Sequence, residues 1–500
     1  MKRLSTGIPA LDTILDGGLP AGALIVVAGA PGTGKTIMAQ QICFSNGSMD
    51  RKAIYYSTIS EPPEKFIRHL EGFAFFDRAA LVNKVEFINL GDLLEEGQEV
   101  GINPMMDEIV RKVVNEHPSV VVVDSAKALR DFSGGDRSLR AAVYRLATRI
   151  AYTDTTLLFV GEYTSDEIES APEFSLADGI VELVYESHEP LDRRWLRVRK
   201  LRSSNHLSGQ HPLQISKAGI RLYVRAETLD GRLQPELEPD GRITTGVPGL
   251  DEMTHGGLPR AGSTLVLGPS GCGKTALALR FLARGLEDGE RCLYVTFQEN
   301  ANQLIRKAES FGWDLNPYLQ SGHLRFFHVT ESSLDLDILA SVVRDALANG
   351  TLHRMVIDSL AEMVVAARES ERFPAFARTL LASLRAAEVS VMITSETSSL
   401  GPTTETVGGL SFLYHNVVLL RYIEQGSEVG RAVAILKMRD SDHEKGLRTF
   451  RIGVRGFEVE AKLEGVTGLL GWSALRGQET RGSDRRTQPA DARGEPAHRQ

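Results

Sequence analysis

Cysteine is scarce: the 500-residue chain carries three, Cys43, Cys272 and Cys292, scattered through apolar or glycine-rich surroundings. That number and spacing exclude a disulfide-stapled scaffold and a cysteine metal cluster, and they suit a reducing, cytoplasmic setting. No apolar run approaches the roughly 18 residues that cross a bilayer, and the opening Met1-Lys2-Arg3-Leu4-Ser5 lacks the apolar stretch of a signal peptide. Neither export nor membrane spanning is expected. An excess of positive charge is also missing: 57 Lys and Arg face 65 Asp and Glu, for a net charge of −8. A dedicated nucleic-acid binder neutralises phosphates with a basic surface, so the balance argues against one. What remains is an ordinary globular composition, 42% apolar and 24% charged, in a chain too long for one core. Two domains of about 230 residues and a tail are expected.

The chain contains the same pattern twice. Thr6-Gly-Ile-Pro-Ala-Leu-Asp12 returns as Thr245-Gly-Val-Pro-Gly-Leu-Asp251, and Gly17-Gly-Leu-Pro20 returns as Gly256-Gly-Leu-Pro259, both offset by 239 residues. Between the copies, residues 229–242 are rich in proline, glycine and charge, a linker composition. The expected domains are 1–232 and 240–470, followed by a disordered tail over 471–500 that has no aliphatic or aromatic cluster after Trp472.

The strongest repeated feature is a glycine-rich loop. Gly29-Ala30-Pro31-Gly32-Thr33-Gly34-Lys35-Thr36 and Gly268-Pro269-Ser270-Gly271-Cys272-Gly273-Lys274-Thr275 both fit G-x-x-x-x-G-K-[ST], again 239 residues apart. Each follows an apolar strand-like run and precedes a helix-like one, the context in which backbone N–H groups wrap a phosphate. Such loops bind the phosphates of ATP: Lys35 and Lys274 would reach the β and γ oxygens, and the Thr36 and Thr275 hydroxyls can ligate Mg²⁺. Downstream, Val120-Val-Val-Val-Asp124 and Met355-Val-Ile-Asp358 are β-branched or apolar runs ending in aspartate. In that setting Asp124 and Asp358 are expected to hold Mg²⁺ directly or through water. Alternation of strand and helix patterns within each copy predicts an α/β fold with a mostly parallel sheet covered on both faces.

Late in each copy a strand-like run ends in Lys-x-Arg, at Lys200 and Arg202 and at Lys437 and Arg439. A period of two would put both cations on one face, able to meet a single anion. A charged edge strand that resists aggregation is the competing explanation, and the recurrence in both copies favours function.

Taken together, the duplicated T-G-[IV]-P-x-L-D, G-G-L-P, phosphate loop, strand-end glutamate, [VI]-D-S and Lys-x-Arg resemble the KaiC family of RecA-like ATPases from about residue 4 to 470. The resemblance implies two tandem RecA-like P-loop domains in a homo-oligomer, a hexameric double ring with ATP between neighbouring subunits. Lys200 and Arg202, like Lys437 and Arg439, would then reach the nucleotide of the next subunit, as an arginine finger does. It also implies a regulatory protein partner of unknown identity.

Two departures from the family stand out. Its clock members carry adjacent glutamates after the strand that follows the phosphate loop, where this chain has Ser60-Glu61 and Gln298-Glu299. The first glutamate, regarded in the family as the principal base, is absent from both copies, which leaves Glu61 and Glu299 to orient water and predicts slow hydrolysis. Both could instead serve as helix N-terminal carboxylates. The family's adjacent Ser-Thr acceptor pair aligns with Ser411-Phe412, so Ser411 is the one candidate phospho-acceptor, and Phe412 suggests a packed segment. Serine autokinase activity therefore stays open beside ATP hydrolysis. The alternatives are a DNA-handling RecA-type ATPase and a nucleotide-gated scaffold with little turnover.

Overall fold

The computed structural model describes residues 2–57, 63–90, 102–130, 133, 135–187, 192–232, 240–330, 335–348, 352–367, 371–397, 410–425, 428–439, 441–463, 466–467 and 475–476. Two nine-stranded sheets form their framework. In the first copy the strands are β1 Leu24–Gly29, β2 Ala53–Ser57, β3 Val85–Asn89, β4 Val120–Asp124, β5 Thr156–Glu162, β6 Gly179–Glu186, β7 Arg193–Leu201, β8 His211–Ser216 and β9 Gly219–Leu222. Their order across the sheet is β3-β2-β4-β5-β1-β6-β7-β8-β9. The pairs from β3 to β6 are parallel and the rest antiparallel.

The second copy repeats this order with β10 Ser263–Gly268, β11 Cys292–Thr296, β12 Leu324–His328, β13 Arg354–Asp358, β14 Ser390–Glu396, β15 Asn416–Gln425, β16 Glu428–Met438, β17 Arg448–Gly453 and β18 Gly456–Lys462. This is the expected α/β architecture, two mostly parallel sheets flanked by helices.

The apolar runs before the glycine loops are continuous because β1 and β10 are central and buried on both faces. Along β1, Leu24, Val26 and Ala28 join one core, while Ile25 and Val27 join the other. Onto the Ile25 and Val27 face packs helix α1, Lys35–Asn46, through Met38, Ala39, Ile42 and Cys43. Helix α2, Lys274–Glu287, packs on Val266 in the same manner through Leu277, Phe281 and Leu282. Each loop is thereby fixed between a rigid strand and a rigid helix at the carboxyl edge of the sheet, beside the point where strand order reverses. Open α/β sheets bind ligands at that point.

The two copies are joined by more than the connecting segment. The 3₁₀ turn Ala226–Arg232 closes the first copy on the second: the Ala226 N–H donates to Asp337 Oδ1 at 3.0 Å and Glu227 pairs with Arg372 at 2.7 Å. Arg372 also donates to Asp337 Oδ2 at 2.7 Å, so one guanidinium serves two carboxylates at this junction. Most of the expected tail lies outside the described residues; within it, Leu475–Arg476 pairs antiparallel with Val466–Thr467.

Candidate functional site

Each glycine loop ends in a residue that only glycine fills well. Gly34 and Gly273 stand immediately before α1 and α2 with φ of 102° and 111°, a left-handed conformation. A Cβ on Gly34 would also lie 2.7 Å from Ile215 Cδ1, and one on Gly273 would collide with the Ile452 side chain. The first N–H groups of both helices therefore face the open loop, ready for an anion.

The lysines and threonines are already gathered around that opening. Lys35 Nζ donates to the Ala30 carbonyl at 2.7 Å, and Lys274 Nζ to those of Gly268 and Pro269 at 2.8 and 2.9 Å. Burial lowers the Lys35 pKa, opposed by the nearby Glu162 and Asp124 carboxylates. Thr36 Oγ1 donates to Asp124 Oδ2 at 2.8 Å, and Thr275 Oγ1 to Asp358 Oδ2 at 2.9 Å. These contacts join the end of the loop to the end of β4 or β13 across more than 80 residues of chain. An oxygen-only set of hydroxyl and carboxylate, facing a loop built for phosphates, fits Mg²⁺. Burial pushes the Asp124 carboxyl up, opposed by hydrogen bonds from Tyr55 and Thr36 and by the Lys35 charge.

Several site residues escape motif reading. Tyr55 and Tyr294 donate to Asp124 and Asp358 at 2.6 and 2.8 Å, each from the strand beside the aspartate. In the second copy alone, Thr394 Oγ1 adds a further hydrogen bond to Asp358 Oδ1. The first copy has Val160 at the matching position on β5. Glu162 and Glu396 end β5 and β14 and line the two clefts. A signal for these glutamates was present, since their spacing of 234 residues equals that of Asp124 and Asp358.

The clefts differ. The first, 650 Å³, adds Lys127 and Arg130 to the loop, Asp124 and Glu162. The second, 420 Å³, is lined by Gln298, Glu299, Asp358, Glu362 and Glu396. Glu299 accepts two hydrogen bonds from Lys307 Nζ, at 2.7 and 2.8 Å, so its carboxylate is held in an ion pair at the cleft wall. Glu61 lies outside the described residues.

The Lys-x-Arg pairs lie away from both of their own loops. Lys200 is opposite Ile180, which is level with Val26 near the start of β1, and Lys437 is opposite Val417, level with Leu265. The loops leave from the other ends of β1 and β10. Simple alternation does not describe these strands, because a β-bulge at Arg199 and another at Leu436 shift the register by one residue just before each lysine. A bulge re-aims the side chains that follow it. After it, Lys200 and Arg202 flank buried Leu201, and Lys437 and Arg439 flank buried Met438, so each pair does share a face.

Arg202 pairs with Asp178 at 3.4 Å, while Lys437 and Arg439 donate to the carbonyls of Tyr414 and Phe412 at 2.8 and 2.6 Å. The Ser411 side chain lies outside the described residues. Phe412 corrects an expectation: it is 49% exposed rather than packed. The turn Leu410–Leu413 is 3₁₀, with three residues per turn, and it directs Leu413 rather than Phe412 against the core.

Comparison with known proteins agrees with this geometry. A family model described as the ATPase KaiC matches residues 4–227 and again 243–464. A circadian clock oscillator protein KaiC from Parathermosynechococcus lividus is 27% identical over 486 residues, covering 95% of this chain and 88% of the relative. The circadian clock protein KaiC3 of Synechocystis is 28% identical, covering 94% of each chain. Among the described residues, no helix is long and apolar enough to cross a membrane. With two phosphate loops on two copies of one sheet, and the model matched twice along its length, the chain belongs to the KaiC family of ATPases.

Proposed function

We propose that the protein binds Mg·ATP in both domains, assembles through that nucleotide into a closed ring, six-membered as in the family resemblance, and hydrolyses ATP slowly as a cytoplasmic regulator read by a protein partner. The observation that carries this reading is the placement of the Lys-x-Arg pairs. They share the fold with a phosphate loop but stand at the opposite end of its strand, too far to serve their own nucleotide, which supports a role at a neighbouring subunit's; within the chain Arg202 meets Asp178, and Lys437 and Arg439 meet backbone carbonyls. Burial and the neighbouring Arg439 lower the Lys437 pKa, and burial with Arg202 lowers that of Lys200 against the opposing Asp178 carboxylate.

Within each site, Lys35 or Lys274 neutralises phosphate charge, and Thr36 with Asp124 or Thr275 with Asp358 would hold Mg²⁺. Bound Mg²⁺ would supply further charge neutralisation there. The tyrosines fix the carboxylates. Glu61 and Glu299 orient water in this reading, and Glu299 must first exchange its Lys307 partner, which adds to the slowness. The family resemblance implies an acceptor pair at Ser411-Phe412, but Phe412 removes one of its two hydroxyls, so a two-site phosphorylation cycle at these positions is not part of the proposal. Ser411 alone keeps the acceptor position, and a mass increase on incubation with Mg·ATP, lost in Ser411→Ala, would add autokinase activity.

Sedimentation with and without Mg·ATP, combined with phosphate release, tests the proposal. A ring that forms with ATP and releases phosphate supports it; a monomer at micromolar concentration under saturating Mg·ATP rejects it. A second reading, a nucleotide-gated scaffold, is favoured by the Glu299–Lys307 ion pair and would be selected by assembly without phosphate release. Steeply salt-dependent DNA binding would instead select a DNA-handling ATPase.

A further inference from the structure

The glutamate missing at position 298 has a carboxylate beside it in space. Glu362 lies on the helix Leu360–Ala367, four residues after Asp358, and is 7% exposed at the wall of the second cleft. It accepts hydrogen bonds from Gln298 Nε2 and from Ser359 Oγ. Both donors line the same cleft as Lys274, Thr275 and Asp358. A buried carboxylate facing a phosphate site is costly, so its presence there calls for a reason. The first copy has none at this place: four residues after Asp124 stands Ala128.

Resting on the ATPase reading, we propose that Glu362 is the proton acceptor for hydrolysis in the second domain, with Gln298 as the residue that positions it. The water oxygen bonds to the γ-phosphorus as the bond from that phosphorus to the bridging oxygen breaks, and the proton lost by the water passes to a Glu362 carboxylate oxygen. ADP leaves with the electron pair of the broken bond. Gln298 keeps the shape of a glutamate and donates through Nε2, holding the Glu362 carboxylate toward the cleft while its own amide oxygen stays available to orient water. The acid has thus moved from the strand end to the following helix in the second domain only. The two domains consequently hydrolyse with different machinery, the first depending on Glu61 and the second on Glu362.

The test uses the full chain with Lys35→Ala to silence the first loop. In that parent, Glu362→Gln keeps the size of the side chain and an acceptor for Gln298 Nε2, lets the Ser359 hydroxyl turn to accept, and removes the basic carboxylate. It is expected to slow phosphate release about 100-fold, the low end of a lost general base. Affinity for the non-hydrolysable analogue AMP-PNP, read by calorimetry, should stay within about threefold, and the nucleotide recovered from the protein should change from mostly ADP to ATP. Adding Gln298→Glu should return at least a tenth of the lost rate, by restoring a carboxylate to the pair, while Gln298→Ala, which spares Glu362, should slow release about tenfold or less.

Phosphate release by Glu362→Gln within threefold of the parent overturns the inference. So does an equal loss in Gln298→Ala, or a loss that tracks AMP-PNP binding, because each marks a structural contact. A parent that binds AMP-PNP but never releases phosphate sinks both this inference and the hydrolytic reading of the second domain. A parent that turns over as fast as its Glu362→Gln derivative sinks the inference alone.

Discussion

Mixing two inactive variants offers the sharpest test of the shared site. Lys274→Ala removes the cation of the second phosphate loop, and Arg439→Ala removes half of the Lys-x-Arg pair. The Arg439 N–H bonds the His415 carbonyl, and the His415 N–H bonds that of Ser263, so Arg439 is level with the first residue of β10. The loop departs at Gly268, five residues further along. At about 3.3 Å per residue the separation is roughly 17 Å, more than an arginine side chain spans. The two residues cannot act on one nucleotide within one chain. In a closed ring with head-to-tail contacts, each site takes its loop from one subunit and its Lys-x-Arg from the neighbour.

In a Lys35→Ala background, so that only second-domain turnover is read, each variant alone should be inactive. After dissociation and random reassembly at equal amounts, half of the loops and half of the Lys-x-Arg pairs are intact, so about a quarter of sites join two intact partners. Phosphate release should rise to about a quarter of that of the unmixed parent. Activity that stays at the level of the separate variants, with exchange of subunits verified by mass, would refute the argument that these cations serve a neighbour.

Other measurements follow from the same contacts. Lys35→Ala and Lys274→Ala should each leave one nucleotide per chain at saturation, against two in the parent, by filter binding; one or none in the parent would contradict the paired sites. Arg372→Ala strips the cation from Glu227 and from fully buried Asp337, and it should lower stability by about 3–5 kcal/mol in urea denaturation, with a loss below about 1 kcal/mol speaking against the junction as drawn. At that junction burial pushes the Asp337 carboxyl up to about 6 from an ordinary 3.8, although Arg372 opposes the shift. The folded chain then holds this proton more tightly than the unfolded one, so the contribution of Asp337 is full below about pH 3.8 and is lost as pH rises through about 6; the variant Asp337→Asn should flatten stability over that interval. In a Lys274→Ala background, Glu61→Gln should abolish first-domain phosphate release and spare ATP binding; undiminished release would show that Glu61 does not position water there.

The duplication, the alternating α/β order and the spacing of the two glycine loops and of Asp124 and Asp358 are legible along the chain. These are local properties: a phosphate cradle needs eight contiguous residues, and a central strand buried on both faces writes its position as an unbroken apolar run. Which remote groups meet them depends on the folded chain. Tyr294, Thr394 and Thr275 reach Asp358 from three different elements, and Gln298 meets Glu362 across 64 residues of chain. No spacing rule encodes such meetings, because they depend on the order of strands in the sheet. The bulges before Lys200 and Lys437 were equally illegible: adding one residue to a strand turns the following side chains without leaving a composition signature. Phe412 shows the reverse case, a large apolar residue read as packed that a tight turn directs outward, since burial is settled by the neighbours a fold supplies and not by the side chain's own preference for leaving water.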